Sequence, residues 1–288
     1  MNSASYQFKL GDFECVSVSD GSHDYPIQDF FANVPKEQIE ELLRQHKLPT
    51  DHITTPYTYL FVNTKQHRVL VDMGAGNLFP TTGRLVQNLK AADIEPAEID
   101  TVIITHAHPD HIGGALDEEG NLVFANAHYY IWKHEWDFWF SKTALAKAPE
   151  IFIKMARKNL EPVKDRVSLL DHESKILPGI CIIAAPGHTP GHIVVSVFSS
   201  DEQLLYISDT VLHPLHLEHP DWIPIYDTLP DKAAASKHRI FDRAAAEKAW
   251  VIGQHFSPFP SLGHVIKKGE GWQWQPIETT DQEINETV

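Results

Sequence analysis

Four clusters of histidine and aspartate, each placed directly after a hydrophobic strand-like run, are the residues of this chain best suited to chemistry. The densest is residues 106–111, which read His-Ala-His-Pro-Asp-His, and the others lie near His188, Asp209 and His255. Imidazole nitrogens and carboxylate oxygens are donors that zinc, iron, manganese and cobalt accept. The candidate ligand set has seven members: His106, His108, Asp110, His111, His188, Asp209 and His255. Seven ligands can hold two metal ions with positions left open for water and substrate, which predicts metal-assisted hydrolysis.

The spacing within the densest cluster favours two neighbouring ions. His106 and His108 are two residues apart, so on an extended segment their side chains can converge on one ion, which a helix would not allow. Asp110 and His111 are displaced by the turn at Pro109 and can therefore face a second ion beside the first. The sequence thus predicts two adjacent metal ions at this cluster.

The three remaining ligands are predicted with different local support. His188 lies in Pro-Gly-His-Thr-Pro-Gly, which is also a good turn sequence, and it gains weight from the first cluster. Asp209 ends an apolar run, so its carboxylate is expected to be buried. A buried carboxylate needs a partner, and a metal ion is the strongest candidate. His255 competes with two nearby histidines, His213 and His264, for the last ligand position.

Periodicity predicts an α/β (α+β) chain whose ligand clusters all follow the C-terminal ends of strands, where open α/β sheets place their sites. Asp72, which ends a strand, is expected to orient a ligand or a turn, and His192 is expected to be structural. The predicted strands cover residues 57–62, 68–72, 101–104, 128–132, 180–183, 193–198, 203–207 and 250–252, with a hairpin within 8–19. The predicted helices begin at Pro35 and cover residues 83–92, 133–160 and 231–249.

Composition narrows the class of partner. The chain has 288 residues with 24 Lys plus Arg and 39 Asp plus Glu, which gives a formal net charge of −15. Nucleic-acid binding depends largely on Lys and Arg, so the sequence predicts a small-molecule substrate and no nucleic-acid partner. No run of 18 apolar residues and no secretory leader is apparent, which predicts no membrane association and a cytoplasmic location.

The motif His-x-His-x-Asp-His at residues 106–111, followed by His188, Asp209 and His255, resembles the metallo-β-lactamase superfamily. The strand ending in Asp72-x-Gly74 resembles it as well, so the similarity spans roughly residues 55–265. The resemblance implies a four-layer αββα sandwich, two mixed sheets flanked by helices, with a binuclear site at one edge. We expect a single domain over 1–288, with an N-terminal half of about 1–170, a C-terminal half of about 171–275 and a polar tail at 276–288.

Within the superfamily, the C-terminal part looks most like the methyl parathion hydrolase and quorum-quenching lactonase group, on the segments 219–222 and 255–264. The resemblance implies two divalent ions, with zinc favoured and manganese, cobalt or iron as alternatives. It assigns His106, His108 and His188 to one ion, assigns Asp110, His111 and His255 to the other, and makes Asp209 the bridge. Members of this group are often dimers, so a homodimer is an expectation. Small homoserine-lactone lactonases typically carry a tyrosine a few residues beyond the bridging aspartate, whereas this chain continues Thr-Val-Leu-His, which favours the methyl-parathion-hydrolase-like branch.

A run of aromatic residues follows the first ligands between Trp132 and Phe140. Such a run is typical of a helix core, and the alternative is a hydrophobic wall for an acyl chain or an aryl leaving group. The predicted substrate pocket has five members: Trp136, Trp139, Phe256, Phe259 and His264.

The predicted reaction is hydrolysis of a lactone, a carboxylic ester or a phosphotriester by a hydroxide shared between the two metal ions. The predicted catalytic residues are Asp209, which bridges the ions, and Asp110, which also shuttles a proton to the leaving alkoxide. One alternative is a glyoxalase-II-like thioesterase, favoured by the His-Thr-x-Gly-His stretch at residues 188–192. Another is an iron-dependent oxidoreductase with the same ligands.

Overall fold

The first of two β-sheets contains seven strands in the order of the sequence. The computed structural model describes residues 4–142 and 144–279. The strands are β1 Ser5–Leu10, β2 Phe13–Pro26, β3 His52–Asn63, β4 Arg68–Val71, β5 Thr101–Ile104, β6 His128–Trp132 and β7 Val167–Leu170. β1 to β4 pair antiparallel, and β4 to β7 pair parallel. Because β5 and β6 run parallel, the segments that follow them leave the sheet at the same edge.

The second sheet also has seven strands, again with neighbours consecutive in the sequence. Its strands are β8 Ser174–Leu177, β9 Ile180–Ala184, β10 Ile193–Ser199, β11 Glu202–Tyr206, β12 Trp250–Ile252, β13 Leu262–Lys268 and β14 Gly271–Pro276. Every pair is antiparallel except β11 with β12, which are parallel and joined through a long helix. The ends of β9, β11 and β12 therefore point toward one edge of this sheet.

Nine α-helices are present in the described part of the chain. They are α1 Ile27–Phe30, α2 Lys36–Gln45, α3 Leu85–Ala91, α4 Pro109–Ile112, α5 Lys133–Phe140, α6 Ala144–Lys147, α7 Glu150–Leu160, α8 Leu215–Glu218 and α9 Pro230–Glu247. None of them is both long enough and apolar enough to cross a lipid bilayer.

The two sheets pack face to face through apolar side chains from their central strands. Val71 and Ile103 of the first sheet belong to one buried cluster with Val195, Leu204 and Ile252 of the second. Successive residues of a strand point to opposite faces, so the neighbours of Val71 and Ile103 face outward from this layer. Central strands of the first sheet are consequently apolar on both faces, which explains their continuous hydrophobic runs.

Helices cover both outer faces. Leu70 and Val102 lie in a buried cluster with Leu89 of α3 and Ile153 of α7. On the other side, residues of β10, β11 and β12 form a cluster with Ile240, Phe241 and Ala244 of α9. The result is the helix–sheet–sheet–helix sandwich that the family resemblance implied, and this prediction is confirmed.

One expectation about an individual element was wrong, and one pair of strands was missed. The aromatic region after Trp132 is divided into α5, α6 and α7, because the chain leaves helical geometry at Ser141 and Pro149 directly precedes α7. The hairpin of β13 and β14 was not predicted, although Val265, Trp272 and Trp274 alternate with polar residues as in a half-buried strand. Of the predicted polar tail, residues 280–288 lie outside the described residues.

Candidate metal centre

All the predicted ligands follow strands that end at one edge of the sandwich. β5 leads to His106 and His108, and the first turn of α4 carries Asp110 and His111. The other ligands follow the second sheet: His188 after β9, Asp209 after β11 and His255 after β12. The parallel pairing of β11 and β12 explains why the last two ligands meet, since both strands deliver their C-terminal ends to the same edge.

The first group of ligand atoms comes from His106, His108, His188 and Asp209, whose donors all lie within 4.8 Å of one another. His188 Nε2 lies 2.9 Å from His108 Nδ1 and 3.2 Å from Asp209 Oδ2. His106 Nε2 faces the same carboxylate oxygen at 3.8 Å. Three imidazoles and one carboxylate oxygen therefore surround a single small volume.

The second group comes from Asp110, His111, Asp209 and His255. His111 Nε2 and His255 Nε2 lie 3.5 and 3.4 Å from Asp110 Oδ2. The same two nitrogens lie 3.4 and 3.3 Å from Asp209 Oδ1. Asp209 thus turns one carboxylate oxygen to each group, which is the geometry of a bridging ligand.

Unpaired buried atoms test whether these residues fit metal ions. His106 Nε2, His111 Nε2 and Asp209 Oδ1 are buried, and despite their short mutual distances none of them has a partner in hydrogen-bond geometry among the described residues. A buried polar atom without a partner costs free energy, and three of them converging on one place would be costly in a purely structural cluster. Imidazole and carboxylate donors suit zinc and its first-row neighbours, so the residues fit two divalent ions.

The protonation of the histidines differs within the centre. Burial and the neighbouring histidines hold the pKa values of His106 and His108 well below the usual range, so both rings are neutral. Burial also acts to lower the pKa of His188, but the carboxylates of Asp209 and Asp227 outweigh it and raise this pKa to about 9. In the same way, the carboxylates of Asp209 and Asp110 outweigh burial at His255 and raise its pKa to about 10. Without metal, protonated imidazoles therefore act as counter-charges to the carboxylates, and a bound cation must displace their protons.

Groups behind the histidines orient the rings. His111 Nδ1 donates to Asp72 Oδ2 at 2.8 Å, and His188 Nδ1 donates to Asp227 Oδ1 at 3.0 Å. His255 Nδ1 donates to the carbonyl oxygen of Pro56 at 2.9 Å. Each bond directs Nε2 of the ring toward the ligand groups, as is usual for metal-binding histidines. Asp72 therefore occupies the orienting position expected from the sequence, whereas Asp227 was missed because no motif marks it.

The other histidines considered from the sequence stand outside the two groups. His192 Nε2 accepts a hydrogen bond from the backbone N–H of Asp209 at 3.1 Å and so holds the loop of that ligand. His264 donates to the carbonyl of Ala249 at 3.0 Å, and His213 accepts from the backbone N–H of Leu215 at 3.2 Å. Of the three candidates for the last ligand position, His255 is the one that reaches the centre.

Glu135 of α5, which sequence reasoning did not single out, ties two ligand loops together. Its Oε1 accepts from the backbone N–H of Ala107 at 3.0 Å and from Trp139 Nε1 at 2.6 Å. Its Oε2 accepts from the Thr189 hydroxyl at 2.6 Å and from the backbone N–H of Gly191 at 3.0 Å. Burial raises the pKa of this carboxyl, and the four donors act against that shift. One buried carboxylate therefore connects the loops of His106–His108 and His188.

Two adjoining cavities open above the ligands. The first, of about 170 Å³, reaches His108, Asp110, His188, Asp209 and His255 and is otherwise walled mainly by apolar and aromatic side chains. Its wall includes Tyr25, Phe30, Thr55, Tyr57, Leu78, Phe79, Phe152, Leu212 and Tyr226. The second, of about 520 Å³, shares His108, Phe152 and Tyr226 with the first and extends past Trp139. The two cavities therefore lie side by side and are together called the cleft, and the first of them reaches the carboxylates of Asp110 and Asp209.

The predicted pocket residues divide into those near the cleft and those away from it. Trp139 borders the second cavity, and its ring contacts His108 edge-on at 5.7 Å between centroids. Trp136 instead stacks on Phe140 and packs against the core of the first sheet, as expected if this aromatic run belongs to the core and not to the pocket.

The prediction also needs correction in the C-terminal part. Phe256 is fully buried in the core under α9 and contacts Trp274, because the residue after His255 points away from the site. His264 lines a groove at α9, with its ring 4.1 Å from that of Trp250. Phe259 is half-buried in the loop before β13 and is not among the residues that line the cleft. The actual walls come largely from β2, β3 and the segments beside them.

Comparisons with known proteins agree with this geometry. A model of the metallo-beta-lactamase superfamily matches residues 54–255. An N-acyl homoserine lactonase from a Bacillus species is 28% identical over 164 residues. The match covers 50% of this chain and 59% of that curated relative.

Two solved structures resemble nearly the whole chain. The dizinc quorum-quenching lactonase AidC, in complex with a product N-hexanoyl-L-homoserine, has a TM-score of 0.90 at 30% identity and covers 97% of this chain and 99% of its own. The hydrolase AbOPH of the beta lactamase superfamily has a TM-score of 0.89 at 27% identity and covers 98% of this chain and 100% of its own. The segment matched by the family model contains all seven candidate ligands, and the chain belongs to the metallo-beta-lactamase superfamily.

Proposed function

We propose that this protein is a binuclear metal-dependent lactonase that opens a neutral lactone carrying an acyl chain, with two divalent ions, zinc first among them. The observation that carries the proposal is Asp209, whose two carboxylate oxygens face two separate ligand groups. The cleft above it is lined by aromatic and aliphatic side chains and suits an uncharged substrate with an apolar chain. The lactonases among the relatives support the same substrate class.

The protein's own residues would divide the work as follows. His106, His108 and His188 would hold one ion, Asp110, His111 and His255 the other, and Asp209 both. When bound, such ions supply a water of lowered pKa and stabilise negative charge on the substrate oxygen. The Asp110 side chain is 16% exposed, more than the other residues of its group, and it borders the cleft. Asp110 can therefore take a proton from the attacking water and return it to the leaving oxygen.

The cleft and the surface charge select the substrate. Phe30, Phe79 and Leu212 line the cavity that reaches the candidate ligands. With a substrate in place these apolar side chains would exclude bulk water from the reacting group, which strengthens electrostatic interactions there. The net charge of −15 disfavours anionic substrates and leaves neutral lactones unaffected. Hydrolysis of carboxylic esters and phosphotriesters, likeness to methyl parathion hydrolase, a homodimeric state and a cytoplasmic location stay predictions from the sequence.

The test compares metal-free protein with protein reloaded with zinc. We expect N-acyl homoserine lactone hydrolysis to be absent after chelation, to return with zinc, and to fall at least about 100-fold in Asp209→Asn, which removes the shared charge. His172→Ala is the control, since His172 is an exposed surface histidine paired with Asp171.

The same preparations separate the alternatives. Aryl esters, a paraoxon-type triester and a glutathione thioester are assayed in parallel, and the bound metal is measured. Thioesterase activity alone, or bound iron with no hydrolysis, would reject the lactonase proposal, as would full activity in metal-free protein.

A further inference from the structure

A pair of tyrosine hydroxyls lies in the wall of the first cavity. The Tyr25 and Tyr57 oxygens are 2.5 Å apart, and both side chains line the cavity beside Asp110 and His255. A tyrosine hydroxyl ordinarily ionises only at about pH 10, so both keep their protons at neutral pH. One hydroxyl must therefore donate to the other, and the second proton must find a different acceptor.

The different burial of the two tyrosines indicates which hydroxyl donates within the pair and which remains available as a donor. Tyr57 is fully buried, whereas Tyr25 is only half-buried, and among the described residues Tyr57 has no recorded hydrogen-bond partner besides Tyr25. If Tyr25 donated, the Tyr57 proton would be left unpaired in the interior, which is costly. Tyr57 therefore donates to Tyr25, and the Tyr25 O–H remains available to a group in the cavity.

A further hydroxyl in the wall of the same cavity lacks a partner among the described residues. Thr55 is 2% exposed and lines the same cavity, and its Oγ1 makes no hydrogen bond with any described residue. Thr55 and Tyr57 are two positions apart on β3, so both side chains lie on one face of the strand. An orphaned buried hydroxyl destabilises a fold unless a ligand or water satisfies it.

The surroundings limit what these hydroxyls can bind. The Tyr25 ring contacts Phe30, Phe79 and Tyr226 at centroid distances of 5.7, 5.9 and 6.2 Å, so this end of the cavity is otherwise aromatic. The Tyr57 ring contacts His255 at 5.1 Å and lies between Tyr25 and the ligands. The free hydroxyls are therefore next to the reacting centre but not on it.

We propose that Tyr25 and Thr55 form a specificity subsite for a neutral amide that flanks the scissile ester bond. The Tyr25 O–H can donate to the amide carbonyl, and Thr55 Oγ1 can accept from the amide N–H. An amide suits the subsite because it carries both an acceptor and a donor, which match one free hydroxyl that can donate and one that can accept. The inference rests on the proposed lactonase function and adds which two side chains would discriminate a lactone with a neighbouring amide from one without it.

The experiment uses zinc-loaded protein and two lactones of similar size, N-hexanoyl-L-homoserine lactone and γ-decanolactone, which lacks the amide. The variants are Tyr25→Phe and Thr55→Val. The controls are Tyr130→Phe on β6, where the Tyr130 ring contacts His128, and Thr54→Val, whose hydroxyl bonds Asp24 on the opposite face of β3. The measured quantity is the preference, kcat/KM for the amide lactone divided by kcat/KM for γ-decanolactone.

We expect each cavity variant to lower this preference about tenfold, mainly through KM, and each control to leave it within twofold. Calorimetric Kd values for N-hexanoyl-L-homoserine, the ring-opened product, should weaken about tenfold in the same variants. Thr55→Val should also melt at a temperature equal to or above that of the wild type, because it removes an unsatisfied buried hydroxyl. Equal losses on both lactones, or an unchanged preference, would overturn the subsite. Hydrolysis of neither lactone by the wild type would overturn the lactonase proposal itself.

Discussion

Replacing Glu135 with glutamine tests how strongly the metal centre depends on one buried carboxylate. The side chain accepts four hydrogen bonds, two on each oxygen, from Ala107, Trp139, Thr189 and Gly191. In Glu135→Gln one oxygen becomes an NH₂ group, which must face two donors. The Thr189 hydroxyl can turn and accept, but the Gly191 N–H cannot, so one buried donor is left facing another.

The magnitude follows from these bonds. An unsatisfied buried donor costs about 1–3 kcal/mol, and each bond that loses its charged acceptor weakens by about 1 kcal/mol. Relief from burying a charge offsets part of the loss, and we expect the free energy of unfolding to fall by about 3 kcal/mol. For a chain of this size that corresponds to a Tm lower by about 6–12 °C. Zinc affinity should fall about 10- to 100-fold, because the carboxylate holds the loops of two ligand sets.

Thermal unfolding of metal-free protein and zinc titration against a chromophoric chelator measure the two effects separately. Glu161→Gln is the matched control, since Glu161 is exposed and pairs only with Lys164 on the surface in its recorded ion pairs. Such surface pairs contribute about 0–1 kcal/mol. A Glu135→Gln variant that melts with the control and binds zinc like the wild type would refute the view that this carboxylate joins the ligand loops.

Two further predictions concern protonation and the cleft. At pH 7 metal-free protein should release about three protons on zinc loading, one each from His111, His188 and His255, whose pKa values are raised by the aspartates despite burial. Zinc affinity should therefore rise with pH up to about 9–10. Calorimetry in buffers of different ionisation enthalpy counts the released protons, and a release of none would contradict the ligand assignment. Trp139→Ala should lower the free energy of unfolding by about 3–5 kcal/mol, since the ring is 1% exposed, and should raise the preference for decanoyl over butanoyl homoserine lactone by widening the second cavity. An unchanged chain-length preference would leave this residue with a core role alone.

Local sequence was sufficient to predict the candidate ligands, which the structure brings together in two groups, and to predict much of the fold. The motif at 106–111 holds four candidate ligands within six residues, so it can be recognised without tertiary contacts. A strand that is followed by a histidine or an aspartate likewise indicates the sheet edge at which that side chain lies. The core strands of both sheets were recognisable because both of their faces are apolar, as at Val69, Leu70 and Val71. The family resemblance and the four-layer sandwich are therefore confirmed.

Edge elements and helix breaks were harder to predict. β7 and β8 have four residues each and are only partly buried, so neither shows a clear period. The helix expected to continue to Leu160 is interrupted at Ser141 and begins again after Pro149, a break signal that the helical prediction did not use.

What surrounds the ligands depends on contacts between distant parts of the chain. Asp227 meets His188 across 39 positions, Glu135 meets Thr189 across 54, and the Tyr25–Tyr57 pair exists only because β2 and β3 bring their ends together. Phe256 shows the converse, since it follows His255 directly and yet points into the core. Residue type and spacing along the sequence were enough to indicate candidate ligands for two metal ions. The orientation of the ligands and the shape of the cleft were decided by tertiary packing, because hydrogen bonds and cavity walls form between whatever side chains the fold brings within reach.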